Sequence, residues 1–308
     1  MNASERWQHY WFEPVPTHIY ALLRIAFALV GGMTLVGVRD VSAFWDLNGM
    51  VPIGSNGLGI KVFLMQHGWG AVAGTTLYVC TVASFVSMAI GFRAQLSVVL
   101  ALLLSLVQVA WNYLPLSGAD AALRAFLFCL MWADCGSVWS VDAWLARKRR
   151  GSQESPSTYP IAPLRLLRFQ VALIYLNAGL WKFLNPYWRD GSAVHYVLET
   201  NLYHRFPGLL PVTLDWLIPF VTYGTLFWEL GFAFFVLFRP TRRIAIALGI
   251  ALHVGMLLTI EIGPFHWMML ASYLAFLDPR QVFMAASRHV TLEGRTLPAD
   301  VHVPARTR

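Results

Sequence analysis

AQLSVVLALLLSLVQVAWNYL, residues 94–114, runs for 21 residues without an acidic or basic side chain. An α-helix rises about 1.5 Å per residue, so roughly 20 apolar residues cross the ~30 Å hydrocarbon core of a bilayer. Similar runs lie on either side: His18–Val38, Ala71–Gly91, Ala121–Val138, Leu164–Leu184, Leu210–Phe238, Ile244–Ile262 and Phe265–Leu277. The sixth is too long for one straight helix. Pro219 is expected to break it, leaving Leu210–Ile218 as an interfacial or re-entrant piece. The predicted fold class is all-α, a polytopic transmembrane helix bundle of about eight spans.

Composition supports the same reading. Hydrophobic residues make up 57% of the 308 and charged residues 13%, against about 45–50% and ~25% in a soluble domain. Mean hydropathy is +0.55. Thirteen tryptophans and eleven tyrosines suit a protein with many membrane–water interfaces. The net charge of +7 does not point to nucleic acid, because the basic residues fall between the apolar runs. Cys80, Cys129 and Cys135 lie in or beside apolar runs without C-x-x-C spacing, so neither a disulfide framework nor a zinc site is expected. Residues 1–16 lack the basic start and short apolar core of a signal peptide, so the first run reads as a retained span.

Loop charges set the orientation. Arg93, then Arg147 to Arg150, then Arg239, Arg242 and Arg243, then Arg280 and Arg288 follow alternate runs. With eight spans, all four clusters share the side of both termini, which the positive-inside rule makes cytoplasmic. The chain thus divides into a cytoplasmic segment 1–17, a transmembrane domain 18–279 with a linker near 147–160, and a cytoplasmic tail 280–308. The tail is expected to be poorly ordered from Arg288 onward. A bacterial inner membrane is the expected location.

Ionisable residues within such runs are costly, about 2.5–3.5 kcal/mol each on insertion scales, and mark candidate sites. Arg24 is close enough to an interface to snorkel. Asp120 and Arg124 are four apart on the fourth run and share a helical face, so they are expected to pair. Lys182 ends the fifth run, one turn past a notch of Asn177 and Gly179. Turned inward and stripped of water, such a lysine becomes a usable general base. Glu229 sits mid-run, too far from either end to snorkel, and His253 sits mid-run on the next. The two are expected to share one polar pocket. Glu261 and His266 flank a Gly263-Pro264 turn, where exposure accounts for them.

At Trp139-Ser-Val-Asp-Ala-Trp-Leu145, Tyr175-Leu-Asn-Ala-Gly-Leu-Trp-Lys182, Gly191-Ser192 after Trp188, Glu229-Leu-Gly-Phe232 and His253, the chain resembles the membrane part of vitamin K-dependent gamma-carboxylase. It is similar to the bacterial members described as horizontally transferred transmembrane domain proteins. The resemblance runs from about Pro14 to Pro279. It implies that Lys182 acts as the base on reduced vitamin K or another quinol, with Glu229 and His253 lining the same cavity. It also implies a carboxylase-like, carbon–carbon bond-forming reaction on a peptide. Two departures accompany it. Ser117-Gly-Ala-Asp-Ala121 stands where the carboxylases place an implicated histidine, so that only Asp120 can substitute there. The chain also runs only about 30 residues past its last apolar run, without the lumenal peptide-binding domain of those enzymes. Other short relatives serve as membrane partners in maturing a secreted killing peptide. The expected function is therefore lysine-base chemistry on a quinol-like lipid or exported peptide. The alternative is a non-catalytic membrane accessory for such a peptide. The bilayer is a partner in either case, and no nucleic acid is expected.

Overall fold

The computed structural model describes residues 2–36, 59–111, 117–150, 157–200, 203, 205 and 216–292. The helices in chain order are α1 (Ala3–Phe12), α2 (His18–Val36), α3 (Gly59–Gln66), α4 (Gly70–Ile90), α5 (Ala94–Trp111), α6 (Gly118–Leu130) and α7 (Val141–Arg150). The second half adds α8 (Ala162–Leu184), α9 (Pro186–Arg189), α10 (Ala193–Glu199), α11 (Leu217–Phe235), α12 (Arg239–Thr259), α13 (Phe265–Ser272) and α14 (Pro279–Leu292). A 3₁₀ turn, Tyr273–Phe276, continues α13. A two-stranded antiparallel ribbon pairs β1 (Pro14–Pro16) with β2 (Thr158–Pro160), Val15 opposite Tyr159.

Among the described residues the fold is all-α but for that ribbon. By length and composition, five described stretches can cross a membrane: His18–Leu35, Gly70–Ile90, Ala94–Trp111, Leu217–Phe235 and Pro240–Thr259. Helix α8 has the length, with 23 residues, but carries Arg165, Arg168 and Lys182. The fourth expected span, Ala121–Val138, is helical only as far as Leu130. There the chain leaves the helix, and the Asp134 carboxylate accepts from the amides of Gly136 (3.3 Å) and Ser137 (3.2 Å) in an Asx turn. The sixth run keeps Pro219 without a break. Its helix begins at Leu217, so Pro219 falls in the first turn, where no amide bond is lost. Most of the expected re-entrant piece lies outside the described residues. The start of the tail is helical, since α14 runs to Leu292 and packs on α2 and β1, and residues 293–308 lie outside the described residues.

Helix α2 lies inside the bundle against α4, α6, α13 and α14, with Ile19, Tyr20, Leu23 and Phe27 fully buried. Helix α8 packs on α6 and, most extensively, on α11. The outward faces remain apolar: Val79, Leu103, Phe227 and Ile244 are all more than half exposed. In water such a surface would drive aggregation, whereas in lipid it is the expected boundary.

Arg24 does not snorkel. It is wholly buried, and its guanidinium donates to the carbonyls of Met88, Ala89 (2.9 Å) and Trp139 (2.6 Å). The first two belong to the last turn of α4, where unpaired carbonyls and the negative end of the helix dipole meet a cation. The reach of Arg24 allowed an interface position, but the helix end beside it satisfies more of its donors. Asp142, at the start of α7, completes the corner by accepting from the amides of Arg93 (2.8 Å) and Ala94 (2.7 Å) at the start of α5. This end of the bundle therefore gathers α1, the ribbon, α7 and α14, and the far end carries Lys182.

Candidate functional site

Lys182 and Glu229 come from different helices, α8 and α11, which approach each other at Gly179. A Cβ built there would stand 2.9 Å from the backbone nitrogen of Leu230, which cannot move aside. Only glycine lets the two backbones come this close. One turn further on, Lys182 Nζ donates to both carboxylate oxygens of Glu229, at 2.7 Å to Oε1 and 2.6 Å to Oε2. Two charge-assisted bonds fix the ammonium. The lysine side chain is 26% exposed and the glutamate 9%, so the pair is reached from the lysine side. Asn185 caps the short helix α9 by accepting from the Tyr187 amide (3.0 Å), and that turn brings the Trp188 ring within 5.1 Å of Nζ. The tryptophan face adds a cation–π contact to the ion pair.

A second polar cluster neighbours the pair. Tyr175 lies on the same α8 stripe as Gly179 and Lys182, spaced i, i+4 and i+7. Its hydroxyl is 2.7 Å from His253 Nε2 and 2.6 Å from the Tyr273 hydroxyl. The Tyr175 ring packs edge-on against Trp228, at 4.6 Å between centroids, and Trp228 immediately precedes Glu229. Trp228 Nε1 donates to the Ala245 carbonyl (3.1 Å), which seats α11 on α12. Gly249 of α12 leaves the space that Tyr273 and Trp228 fill; a Cβ there would overlap the Tyr273 hydroxyl.

The residues singled out by sequence are thus distributed unevenly. Lys182 and Glu229 bond directly. Glu229 and His253 do not bond each other; Tyr175, bonded to His253 and packed on Trp228, links their surroundings. Asn177 is exposed on another face of α8. Asp120 does not pair with Arg124. Its carboxylate accepts from the Ser117 amide (2.7 Å) and hydroxyl (2.9 Å), closing a capping box at the start of α6. A helix-start carboxylate is held by its own first turn before it can reach along the face. Arg124 keeps a buried Nη1 without a hydrogen-bond partner.

Sequence reasoning missed three members. His266 is fully buried rather than exposed at a turn, with its ring 6.2 Å from that of His253. Glu261 alone has the surface role, in an ion pair with Arg205. Tyr175 stands above only as part of the Tyr175–Lys182 motif, and Tyr273 is not singled out. Their signal was the polar tip, which must find a partner when buried.

Comparison with known proteins supplies the context for this geometry. Sporulation-delaying protein SdpB of Bacillus subtilis (strain 168) is 26% identical over 143 residues, 45% of this chain and 44% of that protein. The match therefore spans less than half of that relative's length. Uncharacterized protein YitO of the same organism is 23% identical over 260 residues, 82% of each chain. No solved structure matches. The HTTM domain matches residues 12–280, which include every residue of both clusters, and the chain belongs to the HTTM domain family.

Proposed function

We propose that this HTTM protein uses Lys182 and Glu229 as a proton-accepting pair on a substrate that reaches it through the bilayer, either a quinol-like lipid or an exported peptide. The observation that carries this reading is the direction of Lys182. A snorkelling anchor would put its ammonium among headgroups, whereas Nζ is turned onto a buried carboxylate of another helix. Such a pair is neutral overall either as ammonium and carboxylate or as amine and carboxylic acid. In the second form the amine can take a proton from an O–H or acidic C–H bond. The pair then carries one positive charge opposite the substrate anion it has produced.

The residues present fit a lipid-borne aromatic alcohol such as reduced vitamin K or another quinol. Nζ is partly open, Trp188 stands beside it, and Trp181, Phe183 and Leu184 around it are at least half exposed to the apolar surroundings. These side chains would hold the ring, and the ion pair would face its hydroxyl. A bound quinol would supply the reducing chemistry that a carboxylase-like reaction needs. What the chain itself contributes is orientation and a place for the proton.

The variant Lys182→Arg tests the reading. Arginine keeps the charge and can pair with Glu229, but it cannot act as a base near neutral pH. Mass spectrometry of lipids and peptides copurifying from native membranes should show a modified product with the wild-type protein and none with Lys182→Arg at equal expression. An unchanged product in the variant would leave Lys182 as an anchor and favour the non-catalytic accessory.

The finer topology belongs to the same proposal: eight spans in a bacterial inner membrane, with segment 1–17 and tail 280–308 cytoplasmic around a transmembrane domain 18–279. Its support is that Arg93, the α7 basic run and Arg280 gather at the end of the bundle that holds α1. In a background without Cys80, Cys129 and Cys135, a cysteine at position 195 should label from outside intact cells and one at position 150 should not. Outside labelling at position 150 reverses the orientation.

A further inference from the structure

His253 is 1% exposed, and its two ring nitrogens differ in their surroundings. Nε2 meets the Tyr175 hydroxyl at 2.7 Å, while Nδ1 is buried with no hydrogen-bond partner among the described residues. A bare buried nitrogen costs about 1–3 kcal/mol, and native structures satisfy nearly all such groups, often with an internal water. The imidazole of His266, itself fully buried, lies 6.2 Å away centroid to centroid. That is too far for a direct bond between the rings. One water joins two nitrogens about 5–6 Å apart, a spacing that rings at this centroid separation can present. Phe265, 5.9 Å from the His253 ring, helps to enclose it.

The hydrogen bonds beyond His253 run toward the ion pair. Tyr175 joins His253 to Tyr273, and its ring packs on Trp228 (4.6 Å between centroids) and Phe232 (4.5 Å), which flank Glu229 on α11. Tyr175 and Lys182 share one stripe of α8, about 10 Å apart along the axis. In the other direction, His266 opens α13 just beyond Glu261, whose exposed carboxylate pairs with Arg205.

We propose that a bound water bridges His253 and His266, and that Tyr273, Tyr175, His253, this water and His266 form a proton-transfer chain between the Lys182–Glu229 pair and the Glu261 end of the bundle. The inference rests on the proton-accepting role of that pair and deepens it. Every member both donates and accepts, hydroxyls through one oxygen and imidazole through its two nitrogens. The proton taken from substrate leaves the pair for the Tyr273 hydroxyl, which passes its own proton to Tyr175. Tyr175 passes its own proton to His253 Nε2. The Nδ1 proton moves to the water and on to His266, and the pair returns to neutrality. No electron moves, and the only bonds exchanged are those to hydrogen.

The test does not depend on a known substrate. The chain has three lysines, Lys61, Lys148 and Lys182, so lysine labelled with ¹⁵N at Nζ gives few signals to assign. In lipid nanodiscs, exchange of the Lys182 Nζ protons with D2O should slow about a hundredfold in Tyr175→Phe and in His266→Phe, the low end of what one positioned acid–base group contributes. Tyr20→Phe, at the α1 end of the bundle, should leave the rate unchanged. His266→Gln, which keeps a hydrogen-bonding side chain, should fall between wild type and His266→Phe. In histidine-labelled protein, a water cross-peak at His253 Nδ1 should be present and should vanish in His266→Phe. An unchanged Lys182 exchange rate in folded Tyr175→Phe overturns the chain, and absence of the water peak overturns the bridge. Either result leaves the Lys182→Arg experiment intact. Retention of product by Lys182→Arg would remove the base role without altering these exchange rates.

Discussion

Glu229→Ala is expected to destabilise the protein by about 3–5 kcal/mol, because it leaves the Lys182 ammonium partly buried and without its counter-charge. Thermal unfolding in detergent, followed by intrinsic fluorescence, measures the loss. The double variant Glu229→Ala with Lys182→Met should recover most of it. Removing both charges removes the desolvation problem together with the attraction. The two single changes should therefore be strongly non-additive, as expected for groups in direct contact. Additive losses would mean that the carboxylate and ammonium stabilise the fold independently, and that the 2.6–2.7 Å geometry carries no coupling. The double variant also separates roles, since it should fold well and yet form no product. A fold that tolerates two apolar residues here but performs no chemistry would identify the ion pair as functional rather than structural.

The long apolar runs were legible because a bilayer demands length and apolarity, and both are written in consecutive residues. Ala71–Gly91 and Leu164–Leu184 lie within two residues of α4 and α8, which end at Gly91, a left-handed C-cap, and at Asn185-Pro186. One helix start was not legible. The seventh run was placed from Ile244, but α12 begins at Arg239. Its Arg242 donates to the Val236 carbonyl (2.8 Å), so a basic residue lies inside the helix rather than in the loop before it. Which face of a helix looks inward was the least readable feature. In a soluble protein the polar face marks the outside, but lipid is as apolar as the core and erases that contrast. Hence the burial of Arg24, His266 and Tyr175 did not follow from their neighbours. Lys182 and Glu229 were found because charge in a membrane is costly enough to need a reason wherever it faces. Their pairing depended on Gly179, whose spacing from the lysine was visible while the approach of Leu230 was not.

Arg24→Met should be the most damaging single change at the opposite end of the bundle. It removes the donors to three carbonyls. The Met88 carbonyl retains the Gly91 amide (3.3 Å), but those of Ala89 and Trp139 lose the guanidinium. Two part-buried acceptors left without that donor cost up to about 1–3 kcal/mol each, or at most roughly 2–6 kcal/mol before relaxation. Part of that is offset because methionine needs no hydration shell, so a net loss of about 3 kcal/mol is expected. Arg24→Lys should recover only some of it, since one ammonium cannot span three acceptors in the way a guanidinium fork does. Gly91→Ala probes the same corner. Its φ of +71° is strained for alanine, and the new Cβ would lie 2.6 Å from Arg24 Nη1. Ser140 crowds the position whatever residue 24 is, so the change remains harmful in the Arg24→Met background, but by less than in the wild type. A positive coupling in this cycle, read from unfolding midpoints at constant detergent, would place the arginine against the Gly91 turn as a staple between α2, α4 and Trp139. If Arg24→Met instead unfolds within about 1 kcal/mol of the wild type, the cost of desolvating the guanidinium cancels what its hydrogen bonds contribute. The residue would then set the specificity of the corner rather than its stability.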